Sequence, residues 1–212
     1  MVKGSVFERL LHTQTVSLKN ILEDKDITKL MWDCRSDNNA LAHLYGIRLG
    51  GVVDLQLHCL AWSLTKNPDA EIIQPKLHSL HWALATANHA RMGRGDREAY
   101  SHAVRLSKIL FVPESGGTYD VWKQRPLPDV LLRYCTDATR FFALHTYYEE
   151  TELIYAEALQ RAVQKRLDDS CDFAFSSVEA SLRQVADMSL ISSVLAMDRH
   201  PASESNSDAS LL

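Results

Sequence analysis

The chain has 212 residues, of which 46% are hydrophobic and 24% are charged, and its formal net charge at pH 7 is −4. This length is enough for one globular domain with a sizeable core. The slightly acidic balance excludes a globally basic protein, so any affinity for nucleic acid must come from local clusters of cations.

The cysteines and the apolar runs indicate the compartment. Four cysteines stand far apart without a CxxC pair, at positions 34, 59, 135 and 171, and the N-terminus does not resemble a signal peptide. Charged residues interrupt the apolar runs well before the roughly 20 residues of a membrane span. We therefore expect free thiols, no secretion signal, no membrane partner and a cytoplasmic or nuclear location.

The first half of the chain has the pattern helix, strand, helix and strand. Residues 5–24 carry apolar side chains at helical spacing on either side of a polar break, and the apolar run 29–34 fits a buried strand. Ser36 is the expected N-cap of the following helix, which Gly46 would close. Residues 50–62 begin like a second strand and pass into a helix. The pattern predicts a βαβ-like unit with parallel strands.

The second half is predicted to be mainly helical. Residues 75–110 have a helical pattern that the turn "RMGRGD" interrupts, with Asp96 as an expected N-cap. The prolines and glycines of residues 112–128 exclude a continuous regular element. Asp129 is the expected N-cap of a further helix, which runs on through "QKRLDD" as one helix or as two. The polar, Ser-rich residues 200–212 are expected to be disordered.

Two stretches of the sequence resemble motif regions of a known enzyme family. The segment "KLMWDCRSDNNALAHLYGIRLGGVVDLQL", residues 29–57, is similar to the second motif region of the DEDD family of 3′–5′ exonucleases, the RNase D-like domains. The segment "GGTYDVWKQRPLPDVLLRYCTDATRFFALHTYY", residues 116–148, is similar to the third motif region, particularly as it occurs in fungal 3′–5′ exonuclease-domain proteins. Their order and separation also match that family.

The resemblance implies both a fold and a metal chemistry. The fold is α/β and ribonuclease H-like, here mainly helical with a short parallel strand pair. The family's enzymes use four acidic residues to hold two divalent cations, Mg²⁺ or Mn²⁺, which activate a water and stabilise the leaving 3′ oxygen. Two of these acids belong to an early Asp-x-Glu strand, which the opening residues "MVKGSVFERLL" do not contain. We therefore expect an N-terminally truncated remnant that lacks the first three strands.

Asp37 aligns with the acidic residue of the second motif, and the resemblance implies a catalytic and metal-binding role for it. It follows a predicted strand at the start of a helix, where a carboxylate can face a cleft. The alternative is an acid favoured by the helix dipole, an effect of a few tenths to about 1 kcal/mol. Asp33 is expected to be structural, and Asp54 to be a turn or cleft-edge carboxylate without a ligand role.

Tyr134 aligns with the water-positioning tyrosine of the third motif, which places Ala138 where the family has an aspartate. A shifted register makes Asp137 the catalytic ligand instead. Against this shift, Asp137 has Arg133 and Arg140 at helical spacing, which is typical of a solvated, ion-paired face. An apolar stripe is predicted to face the core, and it consists of Leu131, Tyr134, Cys135, Ala138, Phe141 and Phe142. The third motif is therefore expected to be a remnant that has lost its ligand at Ala138.

Trp122, Lys123 and Arg125 are the candidate nucleic-acid-binding residues. Single-stranded nucleic acid stacks on aromatic rings that lie beside cations, and Tyr119 stands close by in the sequence. The alternative is that the charges only solubilise the surface while Trp122 anchors the loop. The resemblance implies the single-stranded 3′ end of RNA or DNA as the partner. An open edge of the short sheet would be covered by the N-terminal helix or by a protein partner.

The sequence therefore predicts a 3′–5′ exonuclease-like, nucleic-acid-processing domain whose catalysis is impaired. The alternative is a non-catalytic module that binds nucleic acid or protein. Residues 1–150 are expected to form the partial exonuclease-like domain, residues 151–199 a C-terminal helical extension, and residues 200–212 the tail.

Overall fold

The structure, a computed structural model, describes residue 7 and residues 16–66, 77–88 and 94–172. Within this part the chain forms two compact units. The first combines residues up to 78 with residues from 148 onward, and the second comprises residues 79–147. The predicted tail lies outside the described residues, so its disorder stays a prediction.

Eight helices and two strands are found in the described part of the chain. They are α1 (Leu18–Glu23), β1 (Lys29–Met31), α2 (Arg35–Tyr45), β2 (Val52–Asp54), α3 (Leu55–Lys66), α4 (Leu80–Asn88), α5 (Arg94–Phe111), α6 (Asp129–Cys135), α7 (Phe141–Tyr147) and α8 (Glu149–Ser170). None of these helices is long and apolar enough to cross a membrane.

The two strands of the first unit pair in parallel, with Lys29 opposite Val52 and Met31 opposite Asp54. Between them α2 makes the connection, and β2 passes directly into α3. This confirms the predicted fold class, a mainly helical α/β protein with a short parallel strand pair. It also confirms the order strand, helix and strand that hydrophobic periodicity had indicated.

The C-terminal end of α2 lies where the sequence predicts it, but its N-terminal start does not. Gly46 ends the helix in the left-handed conformation, with φ of 63°, as expected. The predicted N-cap is wrong, because Ser36 lies inside the first turn and Cys34 occupies the cap position without a side-chain hydrogen bond. The helix starts earlier because the carboxylate of Asp54 accepts hydrogen bonds from the N–H groups of Asp33 and Cys34. Local capping preferences contain no information about such a distant acceptor.

The core of the first unit joins α8 to the strand and helix region near the N-terminus. Its buried residues are Cys34, Leu49, Leu57, Leu60, Ala61, Leu64, Tyr155, Ala158, Leu159, Ala162, Val163 and Leu167. Half of them belong to α8, so this helix shares one core with α3. The predicted domain boundary after residue 150 stays a prediction.

The second unit is helical, and the two predicted N-caps in it are wrong. α5 begins at Arg94, so Asp96 lies in its first turn. Asp129 is the first helical residue of α6, because the carbonyl of Pro128 already accepts hydrogen bonds from the N–H groups of Leu131 and Leu132. The helix dipole also favours acids within the first turn, so an acid near a helix start does not by itself identify the cap.

Residues 112–128 form no continuous regular element, as predicted. They contain two short 3₁₀ turns, Pro113–Ser115 and Tyr119–Lys123. The side chain of Thr118 caps the second turn, and Val121 is buried beneath it. The candidate binding residues therefore lie on a defined turn.

The helix that begins at Asp129 is shorter than predicted, and its apolar stripe does not continue. α6 is followed by a 3₁₀ turn, Thr136–Arg140, before α7 begins. Leu131 is buried, whereas Cys135 and Ala138 are exposed and Phe142 is 72% exposed. A 3₁₀ turn has about three residues per turn, so side chains beyond Cys135 leave the helical spacing. The prediction that the whole stripe faces the core is therefore wrong.

Candidate functional site

Asp37 lies in the first turn of α2, directly after β1 and its turn. Its side chain is exposed, and among the described residues its carboxylate forms no hydrogen bond or ion pair. Partial desolvation by surrounding atoms raises the pKa of Asp37, and the nearby carboxylates of Asp33 and Asp54 raise it further. An accessible acid whose charged form is disfavoured is a candidate functional group.

Asp54, at the end of β2, is fully buried. It holds together the turn between β1 and α2 that precedes Asp37, and we call this region the corner. Its Oδ1 accepts hydrogen bonds from the N–H groups of Asp33 at 3.0 Å and Gln56 at 3.1 Å. Its Oδ2 accepts one from the N–H of Cys34 at 3.1 Å and one from Nη1 of Arg166 at 2.6 Å. Burial alone would raise the pKa of Asp54, but Arg166 and the backbone N–H groups outweigh burial and lower it.

Asp33 adopts the left-handed conformation, with φ of 55°. Two N–H groups of Arg35 bind its carboxylate at 2.6 and 2.7 Å, and Nη1 of Arg166 lies 3.7 Å from the same group. Such a backbone conformation costs on the order of 1 kcal/mol or more for a non-glycine residue, and the two-pronged arginine contact helps to offset it. Asp33 therefore has the structural role that was expected.

The three carboxylates at this corner do not form a metal-binding set. Asp33 and Asp54 are engaged by arginines and by backbone N–H groups, which leaves only Asp37 uncommitted. In the part of the chain that the structure describes, no three His, Cys, Asp or Glu side chains could hold a metal ion together. Mg²⁺ and Mn²⁺ require several oxygen ligands. The described residues thus do not fit the cation pair that the resemblance implied.

Two asparagines next to Asp37 bind the C-terminal end of α8. The amide of the buried Asn38 donates to the carbonyl of Leu167 at 2.9 Å and to the hydroxyl of Ser170 at 2.8 Å. The amide of Asn39 donates to the carbonyl of Ser170 at 2.9 Å. The last carbonyls of a helix lack partners within the helix. These side chains therefore cap α8 and, at the same time, fix the first turn of α2.

In the second unit, Tyr134 and Trp122 belong to one aromatic cluster. The ring of Phe111 lies 5.5 Å from Trp122, 5.7 Å from Tyr134 and 6.2 Å from Tyr119, measured between ring centroids. Trp122 and Tyr134 are 6.3 Å apart. Trp122 is half-buried, whereas Tyr119 is 62% exposed. Trp122 thus packs within the loop, Tyr119 is the more accessible ring, and a role of Trp122 in binding nucleic acid stays a prediction.

Lys123 and Arg125 are both exposed on the same loop. Nζ of Lys123 lies 2.6 Å from the carboxylate of Asp120, which raises the pKa of Lys123 and lowers the pKa of Asp120. Arg125 donates to the carbonyls of Trp122 and Gln124, at 2.9 and 2.6 Å. Exposed ion pairs are weak. Both cations therefore remain accessible to a phosphate, and their role in binding stays a prediction.

Ala138 and Asp137 lie in the 3₁₀ turn between α6 and α7. Ala138 is exposed, while the side chain of Asp137 is outside the described part of the structure. The proposed ligand role of Asp137 and its expected ion pairs therefore stay predictions.

The candidate site residues are distributed over both units. Asp37 belongs to the first unit, and Tyr134 and Ala138 belong to the second.

The sequence analysis identified neither Arg166 nor Asn38 as a residue of this site. The position of Arg166 in the helical pattern of α8 could have indicated its role. The apolar stripe of α8 runs through Leu159, Val163, Leu167 and neighbouring small residues, and Arg166 falls on the buried side with an exposed fraction of 6%. A cation at such a position requires a buried carboxylate partner. That partner, Asp54, is 112 residues away in sequence, and no local pattern identifies it.

Part of the sequence and the fold of this chain are similar to those of known exonucleases. Residues 5–86, which include β1, α2, β2, α3 and Asp37, match the 3'-5' exonuclease family. RNase D of Trypanosoma brucei is 25% identical with a TM-score of 0.51, over 73% of this chain and 48% of that chain. The same enzyme in complex with RNA U12 gives a TM-score of 0.54 at 19% identity, over 84% and 55% of the two chains.

No curated protein sequence matches the chain. The chain spans about half the length of the solved chains that it matches.

Proposed function

We propose that residues 5–86, which match the 3'-5' exonuclease family, are part of an RNase D-like 3′–5′ exonuclease domain, and that the chain binds the single-stranded 3′ end of a nucleic acid. The 212 residues on their own cleave that strand slowly or not at all. Asp37 is the second-motif acid in this proposal, and Tyr134 with Ala138 or Asp137 marks the third motif.

The observation that carries the proposal is the state of the carboxylates around Asp37. Asp37, which the resemblance aligns with the second-motif acid, is exposed and has no partner among the described residues. Its two acidic neighbours are committed to Arg35 and Arg166. A single carboxylate supplies too few oxygen ligands for two divalent cations. The arrangement of these carboxylates is therefore compatible with binding of a nucleic acid. Metal-dependent hydrolysis requires metal ligands beyond the described residues.

The second unit supplies a surface that suits a single strand. Tyr119 is an exposed ring, and Lys123 and Arg125 are exposed cations within a few residues of it. Stacking of a base on an aromatic ring contributes about 1–3 kcal/mol and does not depend strongly on sequence. The RNase D of Trypanosoma brucei has been solved with RNA U12 and with GMP, which supports RNA as the first ligand to test.

A cleavage assay tests the catalytic half of the proposal. A 3′-labelled single strand is incubated with the chain and millimolar Mg²⁺ or Mn²⁺, and release of the label is followed. Wild type and Asp37→Asn are expected to release the label at the same background rate. Asp168→Asn, which removes an exposed carboxylate on α8, is the matched control. Faster release by wild type than by Asp37→Asn would contradict impaired catalysis.

A titration tests the binding half. The chain is titrated into a short fluorescent oligouridylate at several salt concentrations, where each phosphate contact contributes about −0.7 to the slope of log K against log salt. Lys123→Ala and Arg125→Ala are each expected to weaken binding and flatten the slope, and Lys165→Ala on α8 is the control. Asp120→Asn releases Lys123 from its ion pair and should strengthen binding. Absence of any binding by wild type would overturn the proposal, and unchanged affinity in both loop variants would exclude this loop.

A further inference from the structure

We propose that Arg166 is a positioning residue for Asp37. From α8 it fixes the turn that presents the Asp37 carboxylate, so that a helix outside the matched segment 5–86 is part of the site. The importance of Asp37 itself rests on the proposed function. The positioning role of Arg166 follows from the contacts of the first unit.

A short chain of buried contacts leads from α8 to the first turn of α2. Arg166 is 6% exposed, and its Nη1 donates to Asp54 at 2.6 Å. Asp54 in turn accepts hydrogen bonds from the N–H groups of Asp33 and Cys34, the two residues that directly precede α2. The same Nη1 lies 3.7 Å from the carboxylate of Asp33. One guanidinium therefore stabilises both the acceptor of this turn and its left-handed residue.

A second link between the same two helices does not involve Arg166. Asn38 follows Asp37 directly, is 1% exposed and donates to Leu167 and Ser170 of α8. Asn38, on one side of Asp37, thus binds α8 directly, and the turn on the other side is linked to α8 through Asp54 and Arg166. The orientation of the Asp37 side chain depends on where α8 lies.

Removal of Arg166 changes the surroundings of Asp37 in a defined direction. Without its cation the fully buried Asp54 takes up a proton, or its turn opens to water, because a buried unpaired carboxylate is unfavourable. Either change weakens the hydrogen bonds that Asp54 accepts from the N–H groups of Asp33 and Cys34, so the turn that precedes Asp37 is held less firmly.

The test is amide hydrogen exchange in the full chain, followed by NMR without metal or nucleic acid. Arg166→Met is expected to speed the exchange of the Asp33 and Cys34 amides, which donate to Asp54, by about tenfold relative to the α3 amides, and to shift the amide signal of Asp37. Arg166→Lys keeps a cation beside Asp54 but not the guanidinium, and should restore part of the protection. A folded Arg166→Met chain in which these two amides exchange as in wild type and the Asp37 signal does not move would overturn the proposal.

Two controls separate positioning from general loosening. Lys165→Met removes a neighbouring cation of the surface pair with Asp169 and should leave the exchange of the Asp33 and Cys34 amides unchanged. Leu159→Ala weakens the same core away from the turn, so it should lower the melting temperature without a selective loss of protection at these two amides. An equal selective loss in Leu159→Ala would overturn the specific role of Arg166.

If Arg166→Met does not fold, the double variant Arg166→Met, Asp54→Asn replaces it, because it leaves no lone buried charge. Its Asp37 signals are expected to move as well, and unmoved signals would overturn the proposal. This readout needs neither nucleic acid nor metal. Its failure is therefore distinguishable from failure of the proposed function, which the titration and cleavage assays measure.

Discussion

Asp37 carries a negative charge that the described residues around it do not neutralise. Its pKa is raised above the ordinary value of 3.8, so the protonated form is the one that the fold favours. The stability gained from protonation is fully present below the ordinary pKa and is lost as the pH rises through the raised pKa of the folded state. At neutral pH the ionised side chain therefore lowers the free energy of unfolding, as is common for functional acids.

The first prediction follows from this sign. Asp37→Asn removes the disfavoured charge and should raise the melting temperature modestly at pH 7. The difference between the variant and wild type should shrink as the pH is lowered toward 3.8 and below it. Thermal melts of both chains across this range provide the measurement. A lower melting temperature of Asp37→Asn at pH 7 would show that the carboxylate has a stabilising partner.

Ala138 leads to a second prediction at the same scale. Since Ala138 is exposed, the carboxylate introduced by Ala138→Asp remains solvated, and the free energy of unfolding should change by less than about 0.5 kcal/mol. We also expect no stabilisation by millimolar Mn²⁺, because too few further ligands are available among the described residues. Melts with and without Mn²⁺ test this, with Ala138→Asn as the uncharged control. A marked rise for Ala138→Asp alone would reveal a usable metal site.

At the scale of elements, the hydrogen bonds between α2 and α8 contribute to the stability of the first unit. Asn38→Ala removes two buried hydrogen bonds to α8, from the Asn38 amide to the carbonyl of Leu167 and to the hydroxyl of Ser170. We expect the free energy of unfolding to fall by about 2–3 kcal/mol. Asn39→Ala, which removes one bond from a half-buried residue, should cost about 1 kcal/mol or less. Urea unfolding of both variants decides the point, and equal effects would contradict the capping of α8 by Asn38.

The elements that sequence predicted well are those whose signals are local. The short apolar run of residues 29–34, the helical spacing after it and the glycine turn before β2 predicted β1, α2, β2 and the start of α3. The role of Asp37 on α2 stays a prediction. Gly46 was predicted as a helix end because glycine alone adopts the left-handed conformation at little cost.

The errors occurred where distant residues or a change of helix type decide the structure. The start of α2 depends on Asp54, a contact that spans about twenty residues of intervening chain. The prediction of a core-facing apolar stripe through Ala138 depends on an uninterrupted α-helix, whereas residues 136–140 form a 3₁₀ turn. Side-chain spacing on a sequence cannot distinguish these two helix types over a single turn.

At the scale of the whole molecule, the first unit is discontinuous in sequence. The chain leaves this unit after residue 78, forms the second unit, and returns with α8 from residue 148 onward. α8 contributes half of the buried core cluster and the only described cation that binds Asp54. The unit therefore cannot be completed until α8 is present.

The last prediction concerns a chain that ends after residue 150, the boundary expected from the sequence. It lacks Tyr155, Leu159, Val163 and Leu167, whose burial stabilises the fold by about 1.5–3 kcal/mol each. The sum, about 6–12 kcal/mol, is comparable to the total stability of a typical domain. Asp54 also loses Arg166. We therefore expect the amide protons of α3 to lose their protection against hydrogen exchange, whereas a chain ending after residue 172 should retain it. Protected α3 amides in the shorter chain would establish residues 1–150 as an autonomous domain, and α8 would then be an extension whose contacts with Asp54 and Asn38 are not required for folding.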